Sequence, residues 1–289
     1  MGWRNAARPV VRRARAVGTV LRRPPWVAPG HYYSPLASVA DVARAKANAS
    51  RAELLGFDLR AGEQRDLIKQ MIPLWDDYLA NGSGRRFQPG NMLYSRTEAA
   101  PFDAMLRLRR PKSIIEVGSG YSTAVALDTR DAALPDLCIT CIEPYPDRLL
   151  GLLRPGDHEQ LVLRREPVQD TPLDVFDALQ PNDILFIDST HVSKPGSDVN
   201  WLLFEVLPRL RVGVLVHVHD IFWPFEYPTE WLDEGRDWNE NYLLRAFLTL
   251  NDRFAVRLFL DFVWKTMPDV AARFPGEYTP SGLWLERVA

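Results

Sequence analysis

The stretch SIIEVGSGYST, residues 113–123, decides the fold of this chain. Its first five residues are mostly β-branched and predict a buried strand. Gly118 and Gly120 then allow the backbone to turn tightly and to approach a ligand without a Cβ in the way. The residues that follow begin a helix, whose free N–H groups face the same edge as the end of the strand. This order of strand, G-x-G turn and helix predicts a nucleotide-type binding site.

The rest of the chain repeats the same alternation from about residue 87 onward. Six further short apolar runs follow, and most are separated by helical segments. They are LCITCIEP, LVLRREPVQ, DILFIDST, GVLVHVHDIF, FAVRLFLDF and GLWLERV. Such a pattern is typical of an α/β fold with a parallel, doubly wound sheet. Right-handed crossovers bring the C-terminal ends of parallel strands to one edge, where ligands bind. The candidate site residues should therefore follow the strands.

Composition places the chain among ordinary globular proteins. It has 289 residues, 46% of them hydrophobic, and a net charge of −2, which suits one large domain with an additional arm. No apolar run approaches the ~18 residues that a transmembrane helix needs. Two cysteines, Cys138 and Cys141, cannot form a disulfide framework, and their C-x-x-C spacing falls within a predicted strand. We therefore expect buried thiols and a reducing, cytoplasmic setting.

The N-terminal region differs from the remainder in charge. Residues 1–40 contain seven arginines and no acidic residue, and they are also rich in proline and aromatic residues. Apolar residues recur at helical spacing among the arginines, so this arm could make weak contact with a membrane surface, or it could simply be a loosely docked arm. We predict three parts: the arm at 1–40, a helical lead-in at 41–84 and the main domain at 85–289. The acidic balance of the main domain argues against nucleic acid as a partner.

Two acids frame the G-x-G turn. Glu116 precedes it, and Glu143 ends the second strand, where a carboxylate can accept hydrogen bonds from ribose hydroxyls. Dinucleotide-binding turns usually have a third glycine where the pyrophosphate meets the helix, but this chain has Thr123 there. An acid beside the turn also suits a cationic or amino-bearing ligand better than a pyrophosphate.

These motifs resemble a known family. The stretches EVGSGYST, DILFIDSTHVSKPGSDVN, GVLVHVHDIFWPFEYP and EGRDWNENYLLRAF are similar to class I S-adenosylmethionine (SAM)-dependent methyltransferases, in particular to Methyltransferase family 24. The likeness covers roughly residues 85–289. It implies a Rossmann-like seven-stranded sheet in the order 3-2-1-4-5-7-6, with strand 7 antiparallel. It also implies SAM as the methyl donor, but it does not identify an acceptor.

The resemblance also implies the residues that bind the donor. Those around the first turn would hold its methionine part, Glu143 its ribose, the residues after strands 2 and 3 its adenine, and the acid after strand 4 would lie next to the sulfonium. The predicted set is Glu116, Gly118, Ser119, Gly120, Tyr121, Ser122, Glu143, Pro144, Tyr145, Gln169, Asp170 and Asp188.

The ends of strands 4 and 5 carry the predicted chemistry. Four residues should converge there as catalytic groups: Asp188, His191, His219 and Asp220. A histidine could act as general base near neutral pH. Alternatively, Asp188 and Asp220 could hold Mg²⁺ or Mn²⁺ and acidify an acceptor hydroxyl. These two acids resemble the metal carboxylates of catechol-type O-methyltransferases, but Ile221 stands where those enzymes have an asparagine. The sequence leaves both roles open.

The best hypothesis is O-methylation of a small molecule or a glycan unit. His217, two residues deeper in strand 5, is expected to be structural and hydrogen-bonded within the sheet. One alternative is a metal-dependent hydrolase that uses His217, His219 and Asp220 as ligands. Another is a non-catalytic nucleotide-binding module. The aromatic residues of 222–242 could cap an acceptor or form a subunit interface of a homo-oligomer.

Overall fold

The computed structural model of the protein describes residues 24–48, 54–80, 84–276 and 278–289. The predicted basic amphipathic segment, residues 10–21, lies outside these residues. Within the described chain, backbone proximity separates two units: residues 24–48 with Thr229–Asp237, and residues 54–228 with 238–289. The division of the chain at residues 40 and 84 stays a prediction.

The smaller unit contains two helices, α1 (Val39–Asn48) and α8 (Thr229–Asp233). The backbone N–H of Ala37 donates to the carboxylate of Asp237 at 3.1 Å. Lys46 of α1 forms an ion pair with Asp233 of α8 at 2.5 Å. These contacts join residues 37–46 to the segment 229–237.

The larger unit is built on one seven-stranded sheet. Its order is β3-β2-β1-β4-β5-β7-β6, and β7 runs antiparallel to both of its neighbours. The predicted topology is therefore confirmed. The strands are β1 (Ser113–Val117), β2 (Cys138–Ile142), β3 (Leu161–Arg164), β4 (Ile184–Ile187), β5 (Leu215–Val218), β6 (Phe254–Phe259) and β7 (Leu283–Arg287).

Helices connect these strands. They are α2 (Ala61–Ala80), α3 (Arg96–Arg109), α4 (Tyr121–Ala133), α5 (Asp147–Leu150), α6 (Asp174–Asp177), α7 (Asp198–Trp201), α9 (Glu240–Leu248), α10 (Leu260–Thr266) and α11 (Pro268–Ala271). A π turn and a 3-10 turn continue α7 to Arg209. The strand predicted over residues 254–262 is shorter than expected, because α10 begins at Leu260. Asp261 stabilises this start: its buried carboxylate pairs with Lys265 one turn later.

Burial follows the position of each strand in the sheet. The residues of β4 and β5 are all buried because helices cover a central parallel strand on both faces. Cys141 is buried in β2, but Cys138 is exposed, so only one of the two thiols lies in the core. No helix among the described residues is long and apolar enough to cross a membrane. The C-terminal ends of β1, β4 and β5 are neighbours at one edge of the sheet.

Candidate active site

The glycine turn after β1 touches the end of β4. Gly118 has φ +81°, and a Cβ built on it would lie 2.3 Å from the carbonyl oxygen of Asp188. The N–H of Asp188 in turn donates to the carbonyl of Val117 at 2.8 Å. Only glycine fits this backbone conformation and this close approach. The turn therefore lies directly beside the first residue of the predicted catalytic cluster.

Glu116 is buried and faces the start of α4. Its carboxylate accepts hydrogen bonds from the hydroxyls of Ser122 at 2.5 Å and Thr123 at 2.6 Å. Burial raises the pKa of Glu116 to about 7, although these two hydroxyls act in the opposite direction. Glu116 and Ser122 thus fix the turn to the helix. The sequence indicated a ligand contact for both, whereas their contacts here are with each other.

Glu143 connects the glycine turn to the loop after β2. It accepts hydrogen bonds from the backbone N–H groups of Ser119 at 3.3 Å and Tyr145 at 2.7 Å. Pro144 and Tyr145 are exposed on that loop, where a base could lie against them. The buried hydroxyl of Ser119 has no hydrogen-bond partner among the described residues. An unpartnered hydroxyl between two glycines fits a bound SAM molecule.

Arg148 of α5 also lies at the turn, and sequence reasoning missed it. A Cβ built on Gly120 would lie 2.8 Å from its Cδ and 3.8 Å from its Nη1. The side chain therefore covers the turn with its aliphatic part and brings a positive charge close to it. No local motif distinguishes this arginine from the other exposed arginines of the chain.

Gln169 and Asp170 lie on a 3-10 turn after β3, Val168–Asp170. The side-chain amide of Gln169 donates to the carbonyl of Gly196 at 2.8 Å, and Asp170 is exposed. Neither residue has a hydrogen bond to the glycine turn in the part of the chain described. Their contact with adenine stays a prediction.

The four predicted catalytic residues are brought together at the ends of β4 and β5. The Nε2 atom of His191 lies 3.4 Å from Oδ1 of Asp188 and 3.8 Å from Oδ2 of Asp220. On the other side of Asp220, Nε2 of His219 lies 3.5 Å from Oδ1. The residues are distant in sequence, and they meet because β4 and β5 are adjacent parallel strands. We call these four residues the acid–imidazole cluster.

Three further residues that the sequence did not indicate complete the surroundings of the cluster. Glu240, the first residue of α9, accepts from Nδ1 of His191 at 2.9 Å. Ser281 donates its hydroxyl to Glu98 at 2.7 Å and lies 3.0 Å from Oδ1 of Asp220. Glu98 also forms a capping box with Ser95 at the start of α3. A capping box is the role that its sequence spacing indicates, so its proximity to the cluster could not be inferred.

The carboxylates around the cluster favour the charged form of its histidines. Burial opposes protonation of His191, but its hydrogen bonds to Asp188 and Glu240 raise the pKa of its ring to about 10. Burial likewise opposes the charge on His219, and the nearby carboxylates raise its pKa above the ordinary value. For Asp188, burial favours the neutral acid, but His191 and the other histidines hold its pKa below the usual range. An imidazolium at His191 cannot act as a general base at neutral pH.

Backbone geometry also marks this site. His191 has φ +60° and Asp220 has φ +54°, a left-handed conformation that few non-glycine residues adopt. The carbonyl of His191 accepts from the N–H groups of Asn239 at 3.0 Å and Glu240 at 3.2 Å, which fixes its position. Such conformations cost on the order of 1–3 kcal/mol each and cluster at functional sites.

His217 is buried in the sheet, but the prediction that it is hydrogen-bonded there is wrong. Neither of its ring nitrogens has a hydrogen-bond partner among the described residues. The ring lies between those of Phe186 at 4.3 Å and Trp284 at 4.6 Å, measured between centroids. Burial keeps its pKa well below the ordinary value, so the ring is neutral. This position between two aromatic rings does not favour a hydrolase that uses His217 as a metal ligand.

One group of side chains in the described chain could hold a metal ion, and it includes only one of the two strand-end acids. Within the described chain, one group of three side chains offers ligand atoms that all lie within 4.8 Å of one another, and it consists of Glu98, His219 and Asp220. Asp188 does not belong to this group. A metal ion shared by Asp188 and Asp220 stays a prediction.

Comparison with known proteins agrees with this fold. The sequence model of a family described as a methyltransferase domain matches residues 115–221, which include the glycine turn and the ends of β4 and β5. An uncharacterized protein of Archaeoglobus fulgidus is 32% identical over 168 residues, which cover 54% of this chain and 75% of that protein.

Solved structures of methyltransferases are similar in fold at low identity. One is the Podospora anserina methyltransferase PaMTH1, solved with bound S-adenosylhomocysteine (SAH), at 16% identity and TM-score 0.47 over 87% of this chain and 97% of that one. Another is the O-methyltransferase TomG of Streptomyces achromogenes, solved with SAM, at 15% identity and TM-score 0.43 over 84% and 96%. At such scores, nothing about substrate or metal passes from these proteins to the present chain.

Proposed function

Since this chain belongs to the family of that methyltransferase domain, whose members depend on SAM, we propose that it methylates an oxygen atom of a small molecule or a sugar unit. One observation carries the proposal: the glycine turn lies in contact with Asp188, the first residue of the acid–imidazole cluster. A donor held at the turn would therefore have these acids and imidazoles next to its reactive end. A carboxylate in this cluster that can accept a proton suits a hydroxyl acceptor.

The residues of the turn would hold the donor. Glu143 has both oxygens oriented toward the turn and its neighbouring loop, where it would accept the ribose hydroxyls. The unpartnered hydroxyl of Ser119 and the exposed ring of Tyr145 would contact the donor beside it. When bound, SAM supplies a methyl group on a sulfonium: a C–O bond forms as the C–S bond breaks, and sulfur keeps the electron pair.

The proton of the acceptor hydroxyl must go to a group of the protein. His191 already carries a proton at neutral pH, since its pKa is raised to about 10, and Asp188 is engaged with that ring. We therefore assign the proton to Asp220, whose carboxylate lies between the rings of His191 and His219. The neighbouring rings of His191 and His219 orient this carboxylate before transfer.

Aromatic side chains beside the cluster suit a planar or sugar acceptor. The ring of Trp238 stacks on that of His191 at 4.3 Å, and the ring of Tyr94 lies 5.4 Å from that of His219. Such faces bind aromatic rings and the apolar faces of sugars. They support a small-molecule or sugar acceptor without selecting between the two.

A labelled donor tests the proposal. The full-length chain is incubated with SAM that carries a trideuteriomethyl group, together with a panel of phenols, hydroxy acids and sugars, and the products are analysed by mass spectrometry and NMR. We expect the label on an oxygen atom. Asp220→Asn should lower the transfer rate by about 10²-fold or more, because the proton acceptor is lost. Asp174→Asn, a change at an exposed acid of α6, serves as the matched control.

Two results would contradict the proposal. Label on a nitrogen or carbon atom would exclude O-methylation, and an unchanged rate in Asp220→Asn would remove Asp220 as proton acceptor. A non-catalytic module would instead bind SAH without transfer to any member of the panel.

A further inference from the structure

We propose that residues 1–39 bind the surface of a lipid bilayer that contains anionic lipids. Arginines of this segment contact the lipid headgroups, and its aromatic side chains enter the interface between headgroups and acyl chains. The segment includes no residue of the glycine turn or of the acid–imidazole cluster, so this inference does not rest on the proposed function.

The first observation is a group of exposed aromatic side chains. Trp26 is 83% exposed, Tyr32 81% and Tyr33 61%. The ring of Trp26 stacks on that of Tyr33 at 5.6 Å, and the rings of Tyr32 and Tyr33 lie 4.3 Å apart, measured between centroids. In the part of the chain described, the ring contacts of these three residues are with one another and with His31. Single exposed apolar side chains are common, but a contiguous group marks an interaction site.

Backbone hydrogen bonds give this group a defined shape. The N–H of Gly30 donates to the carbonyl of Leu36 at 3.3 Å, and the N–H of Ser34 donates to the carbonyl of His31 at 2.6 Å. The exposed side chains of Leu36 and Val39 extend the apolar group toward α1. The segment therefore presents its rings and aliphatic side chains to solvent instead of burying them.

The second observation is the charge of the same segment. Residues 1–40 carry a net charge of +7 and the whole chain −2, so the remainder carries −9. Each arginine close to an anionic bilayer strengthens binding by roughly fivefold. The seven arginines are Arg4, Arg8, Arg12, Arg13, Arg15, Arg22 and Arg23.

The two observations together favour a bilayer over other partners. Tryptophan and tyrosine are the side chains enriched where a bilayer meets water, and stable attachment takes two signals, here positive charge and apolar contact. A second copy of the chain would bring two arms of +7 together, which is unfavourable. Single-stranded nucleic acid needs free ring faces, but Trp26 and Tyr33 already stack on each other.

Flotation of the full-length protein with lipid vesicles tests this inference. We expect binding to vesicles of phosphatidylcholine with phosphatidylglycerol to be at least about tenfold tighter than binding to phosphatidylcholine alone. The difference should disappear when NaCl is raised from about 0.1 M to about 1 M, because salt screens the charges. Equal binding to the two kinds of vesicle, or no binding to the anionic one, would overturn the proposal.

A charge variant tests the role of the arginines. Combined replacement of Arg12, Arg13 and Arg15 by glutamine should weaken binding to the anionic vesicles by roughly 20-fold or more. The matched control removes the same charge at exposed arginines outside the arm and should bind like wild type; it replaces Arg110, Arg165 and Arg253 by glutamine. Equal weakening in the two variants would show that only the net charge of the chain matters and would overturn the proposal.

A second variant tests the role of the rings. Combined replacement of Trp26, Tyr32 and Tyr33 by alanine should weaken binding by at least about fivefold, because apolar contact with the interface is lost. The matched control replaces three exposed apolar side chains elsewhere by alanine and should leave binding unchanged; these are Met92, Leu250 and Tyr278. Equal binding of the ring variant and wild type would overturn the proposal.

Tryptophan fluorescence supplies a readout that needs only a mild substitution. Vesicles with brominated acyl chains should quench the wild-type protein more than Trp26→Phe, because bromine quenches tryptophan at close range. Equal quenching in the two proteins would place Trp26 outside the bilayer and overturn the proposal. Binding of a single-stranded RNA without binding to anionic vesicles would assign the arm to nucleic acid and overturn it as well.

Discussion

The glycine turn after β1 and the acid–imidazole cluster after β4 and β5 lie side by side, but they are built in different ways. The turn comes from one continuous stretch. Its shape depends on two glycines and on the hydrogen bonds that Glu116 accepts from the hydroxyls of Ser122 and Thr123. The cluster combines side chains from the loops after two strands, and its partners come from α3, α9 and residue 281. A local motif thus forms the proposed donor site, and tertiary structure brings the residues of the cluster together.

The difference predicts how each region fails when it is altered. The turn should fail through geometry, because its backbone is in contact with Asp188. The cluster should fail through charge, because its carboxylates and imidazoles stabilise one another. Four changes, from the largest expected effect to the smallest, distinguish these modes.

Gly118→Ala should have the largest effect. Its Cβ would lie 2.3 Å from the carbonyl oxygen of Asp188, and φ of +81° disfavours any side chain. We expect a loss of about 2–5 kcal/mol in the free energy of unfolding and a loss of SAH binding. Urea unfolding and calorimetry measure the two effects. Gly62→Ala, where a Cβ meets nothing within 4 Å, is the control; equal effects in the two variants would contradict a geometric role for the turn.

Raising the pH should destabilise the cluster. The folded pKa of His191 is about 10, above the ordinary value of 6.5, so the folded state binds the extra proton between these two values. Its contribution to stability is complete below pH 6.5 and is lost as the pH rises toward 10, by at most about 1.4 kcal/mol per pH unit. Urea unfolding across this pH range should show that the free energy of unfolding falls more steeply with pH in the wild-type protein than in His191→Gln. His158→Gln should retain the wild-type slope, and parallel curves for wild type and His191→Gln would refute the charge assignment.

Glu116→Gln tests a smaller electrostatic effect at the turn. Burial raises the pKa of Glu116 from 4.5 to about 7, so the folded state binds more protons than the unfolded state between these values. Its contribution therefore falls as the pH rises from 4.5 to 7. In Glu116→Gln, the free energy of unfolding should vary less with pH between 4.5 and 7 than in the wild-type protein. Above pH 7, the two proteins should show the same pH dependence. An unaltered curve would mean that Glu116 is not protonated on acidification in the folded protein.

Arg148→Ala should have the smallest effect. The side chain is exposed, so we expect a stability change within ~0.5 kcal/mol. Its positive charge next to Gly120 should still attract the carboxylate of SAH, and the variant should bind SAH several-fold more weakly. Calorimetry measures this change, with Arg211→Ala as the control at another exposed arginine. Equal affinity in both variants would remove Arg148 from the donor site.

Sequence reasoning succeeded where the signal was local or came from the family resemblance. The strand–turn–helix stretch at 113–123 and the alternation of elements predicted the sheet, and the resemblance supplied the strand order, which is confirmed. The convergence of Asp188 and Asp220 followed from a general property of parallel strands, whose C-terminal ends share one edge.

The partners of the cluster could not be predicted in the same way. Glu98 has the spacing of a helix cap, and Glu240 is the first residue of a helix, so each has a sufficient local explanation. The environment of His217 depends on the register of β5 in the sheet. His217 lies opposite Phe186 on β4 and Trp284 on β7, and only the assembled sheet brings these rings together. Charge states such as that of His191 arise from these distant neighbours and not from the residue itself.

Calorimetric titration of the folded, full-length chain with SAH tests the central proposal most directly. We predict stoichiometric binding in the wild-type protein, at least about 10-fold weaker binding in Glu143→Gln because the ribose loses a charged acceptor, and unchanged binding in Glu159→Gln. If folded wild-type protein binds no SAH, or if Glu143→Gln binds it as tightly as wild type, the donor site proposed at the glycine turn is contradicted.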